Sequence, residues 1–364
     1  MLKELKDVTV HRLTNERLIG APFASPEEVI ESLVAVQAQD YSGAKWGIAQ
    51  RVKSGPTDAD LDKLFDDGVF LRTHVMRPTW HFVLAEDIVW LQMLTSPRVY
   101  AFNAYYLRKL GIDEKTAATG KEVMAKELAG GKHLTRPELT KKIAEAGVEA
   151  AGLRTAYIIM CAELDALVCS GVRRGKAQTY ALVSERAPKA RKLEREEALA
   201  ELTTRYFTGH GPAQPQDFAW WSGLAMKDVT AGLDFAKSKL ASQEIDGKTH
   251  WFAQTPPTIL KPPVVRLLPN YDEFLIAYKD HSASFDPSVL KGISIGTRDL
   301  VLANHIVIVD GKVVGGWRRE LKGKKVIIEV RLLRELSASE QQALEAQVER
   351  YDAFAGLAAT VMYR

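Results

Sequence analysis

Cysteine is scarce in this chain, and long apolar runs are missing altogether. Cys161 and Cys169 are the two cysteines in 364 residues, which excludes a disulfide-stapled secreted scaffold. Eight residues apart, they lack the further, closely spaced ligands of a structural zinc site, so they read as buried free thiols. The eight histidines are scattered, with no H-E-x-x-H pattern, and no metal or other cofactor is expected. No apolar stretch approaches the ~18 residues that cross a bilayer. The opening Met1-Leu2-Lys3-Glu4-Leu5-Lys6-Asp7 has no apolar signal core. The expectation is a cytoplasmic protein with no membrane partner. Nothing resembles a dimerisation zipper, and a monomer is expected.

Charge of one sign is not in general excess either, since the net charge is +3. The distribution is uneven, however. Residues 171–195 hold eight Lys/Arg against two Asp/Glu, and residues 311–334 repeat that balance. Each stretch therefore carries +6, and the remainder sums to −9. Such concentration suits a polyanion held at a few places rather than general stickiness. Arg173, Arg174 and Lys176 in the first cluster are phosphate-contact candidates. So are Arg318, Arg319, Lys322, Lys324 and Lys325 in the second. Solvated surface loops are the alternative for both clusters.

A chain of this length suggests two to four compact units. Helical patterns at residues 8–18, 26–37 and 46–52 precede two short strands, 68–74 and 79–83, with Arg77-Pro78 as their turn. A helical tail over 86–110 closes the unit. The order then returns: helix 116–128, a helix opened by the capping box Thr135-Arg136-Pro137-Glu138, a longer helix 153–167, and a strand–turn–strand whose cationic tip is Arg173-Arg174-Gly175-Lys176. A third round spans helices from 190 to 237 and a ribbon 240–252 turning at Asp246-Gly247. Helices followed by a ribbon are the pattern of a winged helix. After Pro256-Pro257 and Pro262-Pro263 the composition favours strands, ending in a helix capped by Ser337 and Glu340. The expected fold is α+β: winged-helix units at 1–110, 111–190 and 191–257, then a small β-barrel module at 258–364.

One stretch organises the rest, Val36-Gln37-Ala38-Gln39-Asp40. Ser25, Pro26 and Glu28 give the helix before it a capping box with proline at the first position. Val29, Ile30, Leu33, Val34 and Val36 supply its buried stripe. If helix continues, Gln37 and Gln39 diverge by roughly 200°. If the chain becomes extended, alternation puts both amides on one side. Spacing alone leaves both open, and leaves ordinary solvated glutamines open as well.

Gln37-Ala38-Gln39, at this distance from the start, resembles the Q-Φ-Q motif of the AlkZ/YcaQ family of alkylpurine DNA glycosylases. Three further stretches resemble the same family: Met76-Arg77-Pro78-Thr79-Trp80-His81-Phe82-Val83, Leu267-Leu268-Pro269-Asn270-Tyr271-Asp272-Glu273-Phe274-Leu275, and Asn304-His305 leading into Val313-Val314-Gly315-Gly316-Trp317-Arg318. The triplet is weak alone, but the ordered set runs nearly the whole chain. The resemblance implies tandem winged-helix units arranged as an open C, with a β-rich C-terminal module. It implies monofunctional hydrolysis of the N-glycosidic bond of cationic alkylpurines in double-stranded DNA, bulky adducts and interstrand crosslinks included. Gln37 and Gln39 would be its catalytic pair, positioning the water, with Asp40 as a cap or salt-bridge partner. Arg77 and His81 join the DNA-contact candidates on this ground. On a strand Trp80 and His81 face opposite ways, and Trp80 is expected to be the core member. The competing reading is a non-enzymatic winged-helix regulator, which needs no Q-x-Q.

Overall fold

The computed structural model describes residues 4–286, 305–323 and 325–363. The chain divides into two compact units. The larger comprises Met1–Leu61, Glu201–Trp221 and Met226–Arg364, and the smaller comprises Asp62–Ala200 and Ser222–Ala225. Both mix helix and sheet, so the fold is α+β.

The larger unit opens with α1 (Leu5–Asn15) and α2 (Pro26–Leu33). Ser25 caps α2, its hydroxyl accepting from the Glu28 backbone N–H at 3.3 Å, with Pro26 at the first position. Glu28 reaches one residue further back than a capping box requires, to the Ala24 N–H at 2.9 Å. The periodicity predicts helix to about Gln37, but α2 stops at Leu33. Val34 adopts φ 66° and turns the chain out of the helix. That is a strained conformation for a β-branched residue. The chain then extends through β1 (Val36–Gln37) before α3 (Tyr41–Ala49) begins.

α4 (Asp58–Asp66) leads into the smaller unit, where β2 (Phe70–Val75) and β3 (Arg77–Leu84) pair antiparallel. Phe65, Phe70 and Phe82 meet at ring-centroid distances of 5.0–6.0 Å beneath this hairpin. The long α5 (Ile88–Lys109) follows. Next come α6 (Glu114–Leu128), β4 (Leu134–Thr135), α7 (Arg136–Glu145), α8 (Gly152–Leu164), β5 (Val168–Ser170), β6 (Thr179–Leu182) and the short α9 (Val183–Arg186). Thr135 and Glu138 form the reciprocal capping box that the sequence predicts. The sheet order is β4-β6-β5, over a core of Met124, Leu128, Leu139, Ile143, Ile158 and Val168 among others. Helix, short strand, capped helix, helix, strand, turn and strand is the order of a winged helix. Cys161 and Cys169 are free and buried, and burial pushes their thiols up to about 11 and about 12.

The chain returns to the larger unit through α10 (Arg195–Gly209), α11 (Pro215–Ser222) and α12 (Met226–Ala236). β7 (Ala241–Ile245) and β8 (Lys248–Phe252) turn at Asp246-Gly247, both at positive φ (50° and 71°), as a two-residue hairpin demands. β9 (Val265–Leu268), α13 (Glu273–Ile276), β10 (His305–Val309), β11 (Lys312–Lys322), β12 (Lys325–Leu332), α14 (Ala338–Ala355) and β13 (Ala358–Tyr363) complete it. Of the stretch whose composition favours strands, residues 287–304 and Lys324 lie outside the described residues.

The expected closed barrel is corrected here. The described strands form a curled, open mixed sheet in the order β13-β12-β11-β10-β9. Closure needs the two outer strands to pair. Instead β13 pairs in parallel with β12, β9 pairs antiparallel with β10, and α14 packs against both outer strands.

Candidate active site

The extended stretch at Gln37 is held by a carboxylate distant in sequence. Glu273 is buried, and its Oε1 accepts from the Gln37 backbone N–H at 2.9 Å, while its Oε2 accepts from the Trp221 indole N–H at 2.8 Å. His210 Nε2 lies 3.6 Å from the same Oε2, with its ring stacked on Tyr206. Gln37 itself is 5% exposed, Ala38 is fully buried and Gln39 is exposed. The Asp272-Glu273 pair therefore braces the site, and its two carboxylates serve different partners. Asp272 accepts from both terminal guanidinium nitrogens of buried Arg51, at 2.9 and 2.7 Å.

Arg51 also pairs with Glu16 at 2.9 Å. Two buried carboxylates thus share one guanidinium, and burial pushes the Glu16 carboxyl up to about 7. Tyr278 donates to the His210 carbonyl at 2.7 Å, and its hydroxyl stands 3.1 Å from Glu16 Oε1. The network fixes α1, α3 and the 269–273 loop around the Gln37 backbone. Tyr271 in that loop sits at φ 64°, and Met76, at the head of the smaller unit's family-like stretch, at 63°. Together with Val34, three of the seven described non-glycine residues at positive φ lie in or beside these stretches.

Asp40 caps α3, accepting from the Gly43 N–H at 3.1 Å. A Cβ at Gly43 would stand 2.4 Å from Asp40 Oδ2 and 3.2 Å from Pro269, so a side chain there would push Asp40 from its capping position. The same carboxylate meets Arg319 of β11, at 3.2 and 3.4 Å. His305 Nε2 lies 3.8 Å away, its ring stacked on Trp317 at 4.7 Å. His305 Nδ1 accepts from the Asn270 N–H at 2.7 Å, which places the ring proton on Nε2, toward Asp40. Burial and Arg319 drive the His305 pKa down to about 4 against the pull of Asp40, so the ring is neutral near pH 7. Among the described residues, Arg319 is thus the basic candidate brought beside the glutamine stretch within the larger unit.

Three of the other basic candidates are already engaged. Arg318 pairs across the hairpin with Glu329 at 2.7 Å. In the smaller unit Arg173 pairs with Asp62, and Arg174 with Glu138 at 2.5 and 2.9 Å. Arg174 thereby holds the Glu138 carboxyl down to about 2. Lys176 and Lys325 are exposed, and among the described residues neither has an ion-pair partner. Lys322 pairs with Lys325 through the backbone at the end of the hairpin. Arg77 is half-buried at the start of β3.

The expected facing of Trp80 and His81 is reversed. His81 is fully buried, and desolvation lowers its pKa well below the usual value. Its ring therefore presents no surface to a duplex. Trp80 is the half-buried one, its ring tilted against that of His74 at 4.4 Å with the Arg72 guanidinium over it at 4.4 Å. Glu273 and Trp221 were not marked as site residues by the sequence reading. The signal available was an acid pair within a family-like stretch.

Among the described residues there is no group of three or more His, Cys, Asp or Glu able to hold a metal ion. No described helix is long and apolar enough to cross a membrane. Against known proteins, the profile of the family described as "DNA glycosylase AlkZ-like" matches residues 30–354. Streptomyces sahachiroi DNA glycosylase AlkZ is similar in structure, with a TM-score of 0.80 and 20% identity over 100% of each chain. At that identity the likeness speaks for the fold. No curated protein matches.

Proposed function

The chain belongs to the AlkZ-like DNA glycosylase family, and from that premise we propose that it hydrolyses the N-glycosidic bond of cationic alkylpurines in duplex DNA, with Gln37 and Gln39 orienting the attacking water. Alkylation at N7 of guanine or N3 of a purine gives the base a formal positive charge, and departure neutralises it. The leaving group therefore needs little protonation. What remains is to place a water against the anomeric carbon as cationic character develops on the sugar. A glutamine carbonyl accepts from that water and its amide donates to a neighbouring oxygen, so a neutral pair suffices.

The observation that carries this reading is the bracing of Gln37: an extended backbone at a strained helix exit, tied to buried Glu273 at 2.9 Å. A solvated glutamine at a helix end has no use for such support. Asp40 is read as the α3 cap and the partner of Arg319 rather than as the base that activates water. Bulky adducts and crosslinks are proposed as substrates too, with winged-helix units at 1–110, 111–190 and 191–257 carrying the duplex. Lys176, Lys325, Arg77 and the two arginine pairs are proposed to meet phosphates, the paired ones by exchanging a carboxylate for the backbone.

The test incubates the protein with duplex containing N7-methylguanine and follows free base, with spontaneous depurination subtracted. Release of base, leaving abasic sites that break only on later alkali treatment, is the expected result. Intact lesions, with tight binding to undamaged duplex of one sequence, would contradict it.

A further inference from the structure

One face of α5 in the smaller unit has no role in the reading above. Phe102, Tyr105 and Tyr106 lie at i, i+3 and i+4 on that helix, so they share a face. They are 58%, 60% and 46% exposed. Large rings this open on one turn after another form an exposed apolar patch, which marks an interaction site. Cations stand over two of them: the Arg98 guanidinium 5.5 Å from the Phe102 centroid and the Lys109 ammonium 5.9 Å from that of Tyr105. Tyr106 meets Tyr105 edge-on at 5.3 Å and extends the row to Tyr157 of α8 at 6.0 Å. From residue 88 to residue 112 the chain contains no aspartate or glutamate, while Arg98, Arg108 and Lys109 give it a charge of +3.

We propose that this face of α5 binds single-stranded nucleic acid, its rings stacking on unpaired bases and its cations meeting the phosphates. Cations flank the rings along the helix, Arg98 before them and Arg108 and Lys109 after. A nucleic acid strand supplies both partners in every unit, one flat base and one negative charge. Paired bases offer no free face to such rings, so duplex is the poorer ligand. An acidic peptide would satisfy the cations but bring no regular series of rings. The proposal stands apart from base excision, and the α5 residues have no part in the proposed chemistry.

The experiment measures binding of a short fluorescent oligodeoxythymidine by anisotropy, alongside the same length of duplex. Replacing Phe102, Tyr105 and Tyr106 together by alanine removes exposed rings and leaves no cavity, and circular dichroism checks the fold. Strand binding is expected to weaken by about tenfold or more, while base release from alkylated duplex stays at the parent rate. In a second variant, Arg108→Glu with Lys109→Glu, the log–log salt slope should flatten by about 1.4, since each phosphate contact on a single strand contributes about 0.7. Unchanged strand affinity in the ring variant would overturn the proposal. So would displacement of the strand by polyglutamate as readily as by unlabelled oligothymidine, which would assign the face to an acidic peptide.

Discussion

Glu273 touches the backbone of Gln37 through one oxygen and the indole of Trp221 through the other, so its removal strands two buried donors. Glu273→Ala should lower unfolding stability by about 3 kcal/mol, read from urea midpoints, because each unsatisfied buried N–H costs about 1–3 kcal/mol. Glu273→Gln keeps one acceptor and should lose less. Glu16 gives a prediction with a sign. Its folded pKa of about 7 lies above the ordinary 4.5, so the folded form keeps a proton that the unfolded chain releases. Its contribution is most favourable below about pH 4.5, declines as pH rises to about 7, and is level above. Glu16→Gln removes that decline. The amide can accept from Arg51 with its oxygen and donate to the Tyr278 hydroxyl with its nitrogen. Thermal melts should show the variant gaining on the parent from pH 5 to pH 8. A constant difference would contradict the account in which burial holds the Glu16 carboxyl up. At this scale the resemblance pointed to the glutamines and left the acid pair unmarked inside a family-like stretch. It could not say which donors the acids serve, because Gln37 and Glu273 lie 236 residues apart.

Elements whose ends are set locally were legible. The caps at Ser25, Thr135 and Ser337 and the turn at Asp246-Gly247 all stand where the sequence puts them. Elements decided by distant packing were not. The end of α2 depends on Val34 entering the left-handed region, against its own preference. The open sheet depends on β13 joining β12 in parallel, a pairing across the whole length of α14. β4 was missed because it is two residues long. At α3 the cap and the charge of Asp40 can be separated. Asp40→Ala should cost about 1 kcal/mol of stability through the lost cap. Asp40→Asn keeps the cap, gives up the ion pair with Arg319, and should leave base release within a few-fold of the parent. Loss of release in Asp40→Asn with the melt unchanged would instead make Asp40 the group that activates water.

For the whole molecule the sequence correctly located two basic clusters, but it read their charge as available. The structure spends much of it internally, on Asp62, Glu138, Glu329 and Asp40. Such pairing is set by folding, not by the composition of either stretch. Duplex binding should accordingly depend less on salt than sixteen cations suggest. Lys325→Glu should flatten the log–log slope by about 0.9, the contribution of one phosphate contact on duplex, and a larger change would mean that the paired arginines move with it. The central claim concerns the two amides. Its most direct measurement is the single-turnover rate of N7-methylguanine release by Gln37→Ala and Gln39→Ala, with duplex affinity measured on the same proteins. The account predicts a fall on the order of 10²-fold in rate for each, at nearly unchanged affinity. Release at the parent rate in both variants would contradict it.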